Sequence, residues 1–282
     1  MSKFSFQQVD VFTATPLKGN PLAVVIGADG LSDATMAALA HWTNLSETTF
    51  LLKPTAPTAD YRVRIFSPER ELPFAGHPTL GTCHVWLNGG GKPKQQHIVQ
   101  ECAAGLIKIR RDGDRLAFAA PPLRRTGDVE ADVLKQIATG LCIKGDAIKA
   151  SQWIDNGPGW VAVMLGSRAE VLALKPDYPA LVDLHLGVIG PWAAADGKDA
   201  NFEVRGLIPS RSTEDPVTGS LNAGLAQWLI GKKLAPEKYV ASQGTVLGRA
   251  GRVHVQRDGD DIWIGGSTVT CVSGTIDLTG AG

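Results

Sequence analysis

Apolar and polar residues alternate in short bursts along most of this chain. QQVDVF, PLAVVI, TTFLL, YRVRIF and LIKIRR in the first half, and WVAVML, FEVRGLI, GRVHVQ and DIWIG in the second, have the composition and period of strands. Helical spacing is rarer. One segment runs from Ser32 to about Trp42, with Ser32 placed to cap it and Leu31, Met36 and Leu39 supplying an apolar stripe that predicts packing on a sheet. HPTLGTCHVWL (77 to 87) and GSLNAGLAQWLI (219 to 230) are apolar around most of their circumference, and a helix of that kind must be enclosed on nearly all sides. Each half is therefore expected to wrap strands around one buried helix.

The segments that open these helices repeat. In ELPFAGHP (71 to 78) and EDPVTGS (214 to 220), Glu71, Pro73 and Gly76 recur as Glu214, Pro216 and Gly219 at an offset of 143 residues, about half the 282-residue chain. Gly81 meets Gly224 and Gln100 meets Gln243 at the same offset, and AGLIKIRRDGD (104 to 114) aligns with AGRVHVQRDGD (250 to 260). This pattern reads as an internal duplication. Pro78 suits the first helical position, and Gly76 and Gly219 let backbone approach a bound group. The first amides of a helix have no intrahelical acceptor, and the helix dipole adds positive potential there. Two such helix starts, facing each other about a pseudo-twofold axis, would form a crevice for a small carboxylate.

The paired prolines of AAPPLRRTGD (119 to 128) interrupt strand pairing, and VEADVLKQIATGL after them is helix-like. This places the domain boundary near 120: an N-terminal lobe over 1–120 and a C-terminal lobe over 121–282, with the last strand free to return to the first lobe. NGGGKPK (88 to 94) lacks the ending of a phosphate loop and reads as the turn leaving the first central helix, and RDGD at 111 and 257 reads as a hairpin turn.

Composition narrows the partners. With 28 basic and 28 acidic residues the net charge is zero, so no broad field favours nucleic acid or an anionic membrane, and a small molecule is the expected ligand. The N-terminus lacks an apolar leader and no apolar run approaches the ~20 residues that span a bilayer, so a cytoplasmic location is expected. Cys83, Cys102, Cys142 and Cys271 have no CxxC spacing and read as reduced, mostly buried thiols, and no metal site is expected.

VDVFTATPLKGNPLAVV (9 to 25), NLSETTFLL (44 to 52), RIFSPERELPFAGHPTLGT (64 to 82), EDPVTGS (214 to 220) and SQGTVLGRAGRVHV (242 to 255) resemble, in order, the PhzF-like family of phenazine-biosynthesis isomerases. The resemblance implies a diaminopimelate epimerase-like α+β fold. Its two pseudo-symmetric lobes would each be a mixed, mainly antiparallel β-barrel wrapped around a central helix, with the active site between them. It implies a homodimer with no cofactor and no metal. It also implies that Glu47 is the catalytic acid/base, and that His77, Asp215 and Ser220 are the remaining polar residues of a substrate-binding site. From their place at the two helix starts, Gly76 and Gly219 read as backbone donors to a bound substrate.

Glu47 stands between Leu45 and the strand TTFLL, where desolvation would raise a carboxyl pKa toward neutrality. His77 is either a helix cap or a substrate contact. Asp215 is either a turn residue before Pro216 or a holder of a substrate amine, and Ser220 is either a cap or part of a carboxylate site. Asn20 reads as loop structure, and His84 as a core residue of the first buried helix. Ser220, His77 and Asp215 could sketch a hydrolase triad, but the GxSxG elbow is absent. The expected activity is a cofactor-independent isomerisation that moves a proton within a small carboxylate-bearing substrate. The alternatives are a non-catalytic metabolite-binding protein and an epimerase or racemase of the same fold; no cysteine occupies either repeated loop, which disfavours a two-thiol epimerase.

Overall fold

Parallel neighbouring strands cannot be joined by a tight turn, and four of the five α-helices among the described residues sit where such joins occur. The computed structural model describes residues 3–280. It divides into two compact units, Met1–Ala119 with Gly265–Gly282, and Ala120–Ile264. Among the described residues, the fold is mainly antiparallel β-sheet with few helices.

The first unit runs β1 (Lys3–Val11), β2 (Asn20–Ile26), α1 (Asp33–Thr43), β3 (Thr48–Leu52), β4 (Tyr61–Phe66) and β5 (Glu71–Leu72). It continues through α2 (Gly76–Asn88), β6 (Ile98–Cys102), β7 (Gly105–Asp112) and β8 (Arg115–Ala119). β2 and β3 are parallel, Ala23 opposite Thr48, with α1 as their crossover. β4 and β6 are parallel, Tyr61 opposite Gln100, with α2 as theirs. The other pairings, β1 with β2, β3 with β4, β4 with β5, β6 with β7 and β7 with β8, are antiparallel. Asp112 faces Arg115 across the RDGD hairpin, where Gly113 takes φ +61°.

The second unit runs β9 (Arg125–Gly127), α3 (Ala131–Gly140), β10 (Ala150–Asp155), β11 (Trp160–Met164), α4 (Arg168–Ala173) and β12 (His185–Pro191). Then come β13 (Phe202–Ile208), β14 (Thr213–Asp215), α5 (Gly219–Gly231), β15 (Lys238–Gln243), β16 (Gly251–Asp258) and β17 (Asp261–Gly266). Here β11 and β12 are parallel about α4, and β13 and β15 are parallel about α5 with Val204 opposite Gln243. The pair Tyr61–Gln100 of the first unit, shifted by 143 residues, is the pair Val204–Gln243. β18 (Thr268–Asp277) pairs antiparallel with β1.

α2 is enclosed because strands β1, β2, β3, β4, β8 and β18 all touch it, and residues Gly76 to Cys83 are buried. A Cβ on Gly81 would stand 2.5 Å from Leu22 Cδ2, so the missing side chain is what lets the helix lie this close to β2. Fully buried Leu80 adds about 2 kcal/mol by leaving water. α5 packs on β10, β11 and β16, and a Cβ on Gly224 would stand 2.5 Å from the Ile154 carbonyl oxygen.

Three details differ from the sequence reading. Helix α2 begins at Gly76, so Pro78 is its third residue, still within the first turn where an N–H has no intrahelical partner. His84 is half-buried, its Nε2 near Thr270 Oγ1 (3.0 Å) and Asn88 Nδ2 (2.9 Å), because it lies where α2 approaches β18 rather than facing the core. Of the free cysteines only Cys83 and Cys102 are buried, and Cys142 is exposed in the turn after α3.

Candidate functional site

The candidate residues fall into two groups, one in each unit. In the first unit, α1 ends at Asn44, whose φ of +52° closes the helix with a backbone bond to the Ala40 carbonyl. The chain then turns through Leu45 and Ser46 to Glu47 and enters β3 at Thr48, which is fully buried and within 2.8 Å of the Thr43 hydroxyl. Glu47 is thereby held at the mouth of a buried strand, its side chain 17% exposed. His77, second residue of α2, is 6% exposed, and its Nε2 stands 3.4 Å from Glu47 Oε2. The imidazole hydrogen-bonds to the backbone of Pro21, which can only accept through its carbonyl. Nε2 makes no hydrogen bond, so Nδ1–H is the donor and Nε2 turns its lone pair toward Glu47.

Burial pushes the His77 pKa down to about 3, against a smaller upward pull from the Pro21 carbonyl. His77 is therefore neutral at physiological pH, and its contact with Glu47 joins a carboxyl group to a neutral base rather than two opposite charges. Gly76 is the first residue of α2 and is buried. The N-cap Ala75 has no side chain to offer the first amides. Cys83, about two turns further along α2, is no base at neutral pH, since burial drives its thiol up to about 12.

In the second unit, Asp215 ends β14, and Gly219 and Ser220 open α5. Thr218, the N-cap of α5, makes no capping bond with its side chain. Its hydroxyl donates instead to Asp215 Oδ2 at 2.5 Å. Ser220 Oγ accepts from Trp160 Nε1 at 3.0 Å and its carbonyl accepts from Asn156 Nδ2 at 2.9 Å. By contrast, α1 and α4 are capped by Ser32 and Ser167, whereas α3 also lacks a side-chain cap bond. The two central helices thus keep their first amides free of a side-chain cap, which is the arrangement that welcomes an anion.

The repeated Glu of the motif has a structural task. Glu71 takes a bidentate pair of bonds from Arg64 of β4, both 2.7 Å, on a partly exposed surface. Glu214 takes the same kind of pair from Arg205 of β13, buried, with Nε donating to Oε1 at 3.2 Å and Nη2 to Oε2 at 2.8 Å, and Arg205 also donates to the carbonyls of Val171 and Leu174. Burial raises the Glu214 pKa, opposed by Arg205. Asn20 is fully buried at the start of β2, next to Pro21.

Sequence reasoning passed over Thr218, whose hydroxyl meets Asp215, and Gln243, whose Oε1 accepts from the Thr218 amide at 3.0 Å, although the recurrence of Gln100 as Gln243 at the repeat offset was an available signal. Among the described residues no group of three or more His, Cys, Asp and Glu is gathered closely enough to hold a metal ion. A cavity of about 500 Å³ opens in the second unit, lined among others by Leu134, Ile143, Ile148, Lys135 and Lys149, and it includes none of the candidate residues. No helix among the described residues is long and apolar enough to cross a membrane.

A family model described as phenazine biosynthesis-like protein matches residues 9–274. The chain belongs to that family. It is 36% identical over 293 residues to the antisense-enhancing sequence 1 protein of Schizosaccharomyces pombe, covering 97% of this chain and 99% of that one. It is 33% identical over 257 residues to a trans-2,3-dihydro-3-hydroxyanthranilate isomerase of Pseudomonas aeruginosa, covering 89% of each. Among solved structures, a phenazine biosynthesis protein of the PhzF family from Enterococcus faecalis superposes with a TM-score of 0.79 at 28% identity, covering 97% of this chain and 99% of that chain. Several relatives are named isomerases, and isomerase is the enzyme class that membership of the phenazine biosynthesis-like family supports here.

Proposed function

We propose that this protein is a cofactor-independent isomerase that moves a proton between carbons of a small carboxylate-bearing substrate, with Glu47 as the acid/base group. The observation that carries this reading is the setting of Glu47: a largely shielded carboxyl 3.4 Å from an imidazole that is neutral and already committed through Nδ1. In the reaction, the substrate C–H bond breaks and its proton passes to the Glu47 carboxylate. The electron pair left behind shifts the neighbouring double bond, and the protonated Glu47 returns the proton to the carbon at the far end. Nothing is oxidised, and no group other than the proton is transferred. A positioned acid/base of this kind contributes about 10²- to 10⁴-fold to a rate.

The uncapped amides at each helix start, Gly76 and its neighbours in the first unit and Gly219 and Ser220 in the second, are each proposed to bind an anionic substrate group, with Ser220 adding a hydroxyl donor. Asp215 is the proposed holder of a polar substrate group such as an amine. His77 Nε2, which carries no proton, can accept a hydrogen bond from the Glu47 carboxyl once that group has taken up the substrate proton. The reading extends to each unit as a barrel around its central helix, supported by the strands that surround α2, and to a homodimer as the working form.

The test uses trans-2,3-dihydro-3-hydroxyanthranilate as probe, the compound in the name of the Pseudomonas aeruginosa relative. In deuterium oxide the protein should catalyse isomerisation with deuterium appearing on carbon. Binding of the probe with no exchange and no product would instead favour a metabolite-binding protein that has lost turnover.

A further inference from the structure

Asp215 is not held by its own strand alone. Gln243, at the end of β15 and fully buried, makes four hydrogen bonds to the segment from Asp215 to the first turn of α5. Its Oε1 accepts from the Thr218 amide at 3.0 Å and from Asn222 Nδ2 at 2.9 Å. Its Nε2 donates to the Asp215 carbonyl at 3.1 Å and to Thr218 Oγ1 at 2.9 Å. The orientation of this amide is settled by backbone groups that cannot exchange roles. The atom facing the Thr218 N–H has to be oxygen, and the atom facing the Asp215 carbonyl has to be nitrogen.

That fixes a direction. Thr218 Oγ1 receives a hydrogen from Gln243, so its own proton is available only outward, and the carboxylate oxygen of Asp215 stands 2.5 Å away to accept it. Gly206 of β13 leaves the room: a Cβ there would stand 2.9 Å from Thr218 Oγ1 and 3.1 Å from Gln243 Nε2. The corresponding glutamine of the first unit, Gln100, has the same two-sided wiring but a different terminus. Its Oε1 accepts from the Tyr61 hydroxyl at 3.0 Å, and its Nε2 donates to Thr79 Oγ1 at 2.9 Å, inside the first turns of α2. In the first unit the chain ends within the scaffold, and in the second it ends on a candidate site carboxylate.

We infer that Thr218 and Gln243 are positioning residues: a one-way donor chain, Gln243 to Thr218 to Asp215, sets the carboxylate of Asp215 for the substrate. This rests on the isomerase reading for its catalytic consequence, but not for its structural one. The experiment compares Thr218→Val, which keeps the shape and removes the hydroxyl, with Thr218→Ser, which keeps the hydroxyl. Crystal structures of the two should show the Asp215 carboxylate rotated or split between conformers in the valine variant and restored in the serine variant. With the dihydro-hydroxyanthranilate probe, Thr218→Val should raise KM about 10-fold or more while kcat changes less than about threefold, as expected for lost hydrogen bonds to a binding group. Thr218→Ser should return both to within about twofold of the parent.

An Asp215 carboxylate unmoved in Thr218→Val overturns the inference, whatever the activity. If the parent protein leaves the probe unchanged, the isomerase reading fails for that probe, and the position of Asp215 still decides the donor chain. Should the valine variant not fold, the Thr218 hydroxyl proton is followed by NMR in the parent and in Asp215→Ala. Exchange with solvent at least 10-fold faster in the alanine variant supports the chain, and unchanged exchange removes it.

Discussion

The starts of α2 and α5 show the same scaffold put to different use. Each follows a short strand whose Glu is clamped by an Arg of the neighbouring strand, begins at a buried glycine, lacks a side-chain cap, and is tied by a buried glutamine from the strand that follows. At α2 the candidate acid/base group comes from elsewhere in the sequence: Glu47 lies at the entrance to β3 and stands 3.4 Å from His77 of the helix. At α5 it belongs to the repeated loop itself, as Asp215. Burial follows the same division: the Glu71–Arg64 clamp is partly exposed, at 36% and 23%, whereas Glu214–Arg205 is at 3% and 7%. A repeated sequence motif therefore preserves backbone geometry, and the candidate site side chains are the part that differs.

The comparison is broken most forcefully at the clamps. Glu214→Ala strands the Arg205 guanidinium in a buried site and should cost about 3–5 kcal/mol of unfolding free energy, whereas Glu71→Ala should cost at most about 1 kcal/mol. Equal losses in urea denaturation would show that burial does not separate the two.

His77 supplies the next effect. Its native pKa of about 3 lies below the ordinary 6.5, so below about pH 6.5 the unfolded chain takes up a proton that the native state refuses. Stability should fall by about 1.4 kcal/mol per pH unit from this group as pH drops from about 6 toward 3, and His77→Asn should remove that share of the slope. A slope unchanged in the variant contradicts a buried neutral imidazole. The smallest effect is expected at a capped peripheral helix. Ser32→Ala, which deletes the bond to the Thr35 amide, should cost about 1 kcal/mol and leave turnover unchanged.

Much of the fold could be read from the chain because the relevant signals are local or periodic. Ser32 marked the start of α1, the glycine-rich NGGGKPK marked the end of α2, and each RDGD sits between two strands. The two enclosed helices followed from their nearly uniform apolarity. The pairing of Gln100 with Tyr61 and of Gln243 with Val204 was half visible, since the glutamines recur at the repeat offset, but a strand partner is a long-range choice that no single segment encodes.

For the candidate site, the sequence marked the residues and left their relations open. That His77 meets Glu47 depends on α2 and the α1–β3 turn being brought together by tertiary packing. That it is neutral, with Nδ1 committed, depends on the carbonyl of Pro21. Thr218 and Gln243 were missed because Thr and Gln carry no charge, and their part appears only once the direction of each hydrogen bond is traced. His84 was misjudged because an apolar helix still has a margin, and that residue lies on it beside Thr270.

The central claim is that the Glu47 carboxyl carries the proton. Glu47→Gln keeps the size of the side chain and cannot exchange a proton with carbon, so deuterium incorporation into the dihydro-hydroxyanthranilate probe should fall by at least about 10³-fold, with the melting transition and probe binding retained. Incorporation within a few-fold of the parent would contradict the account.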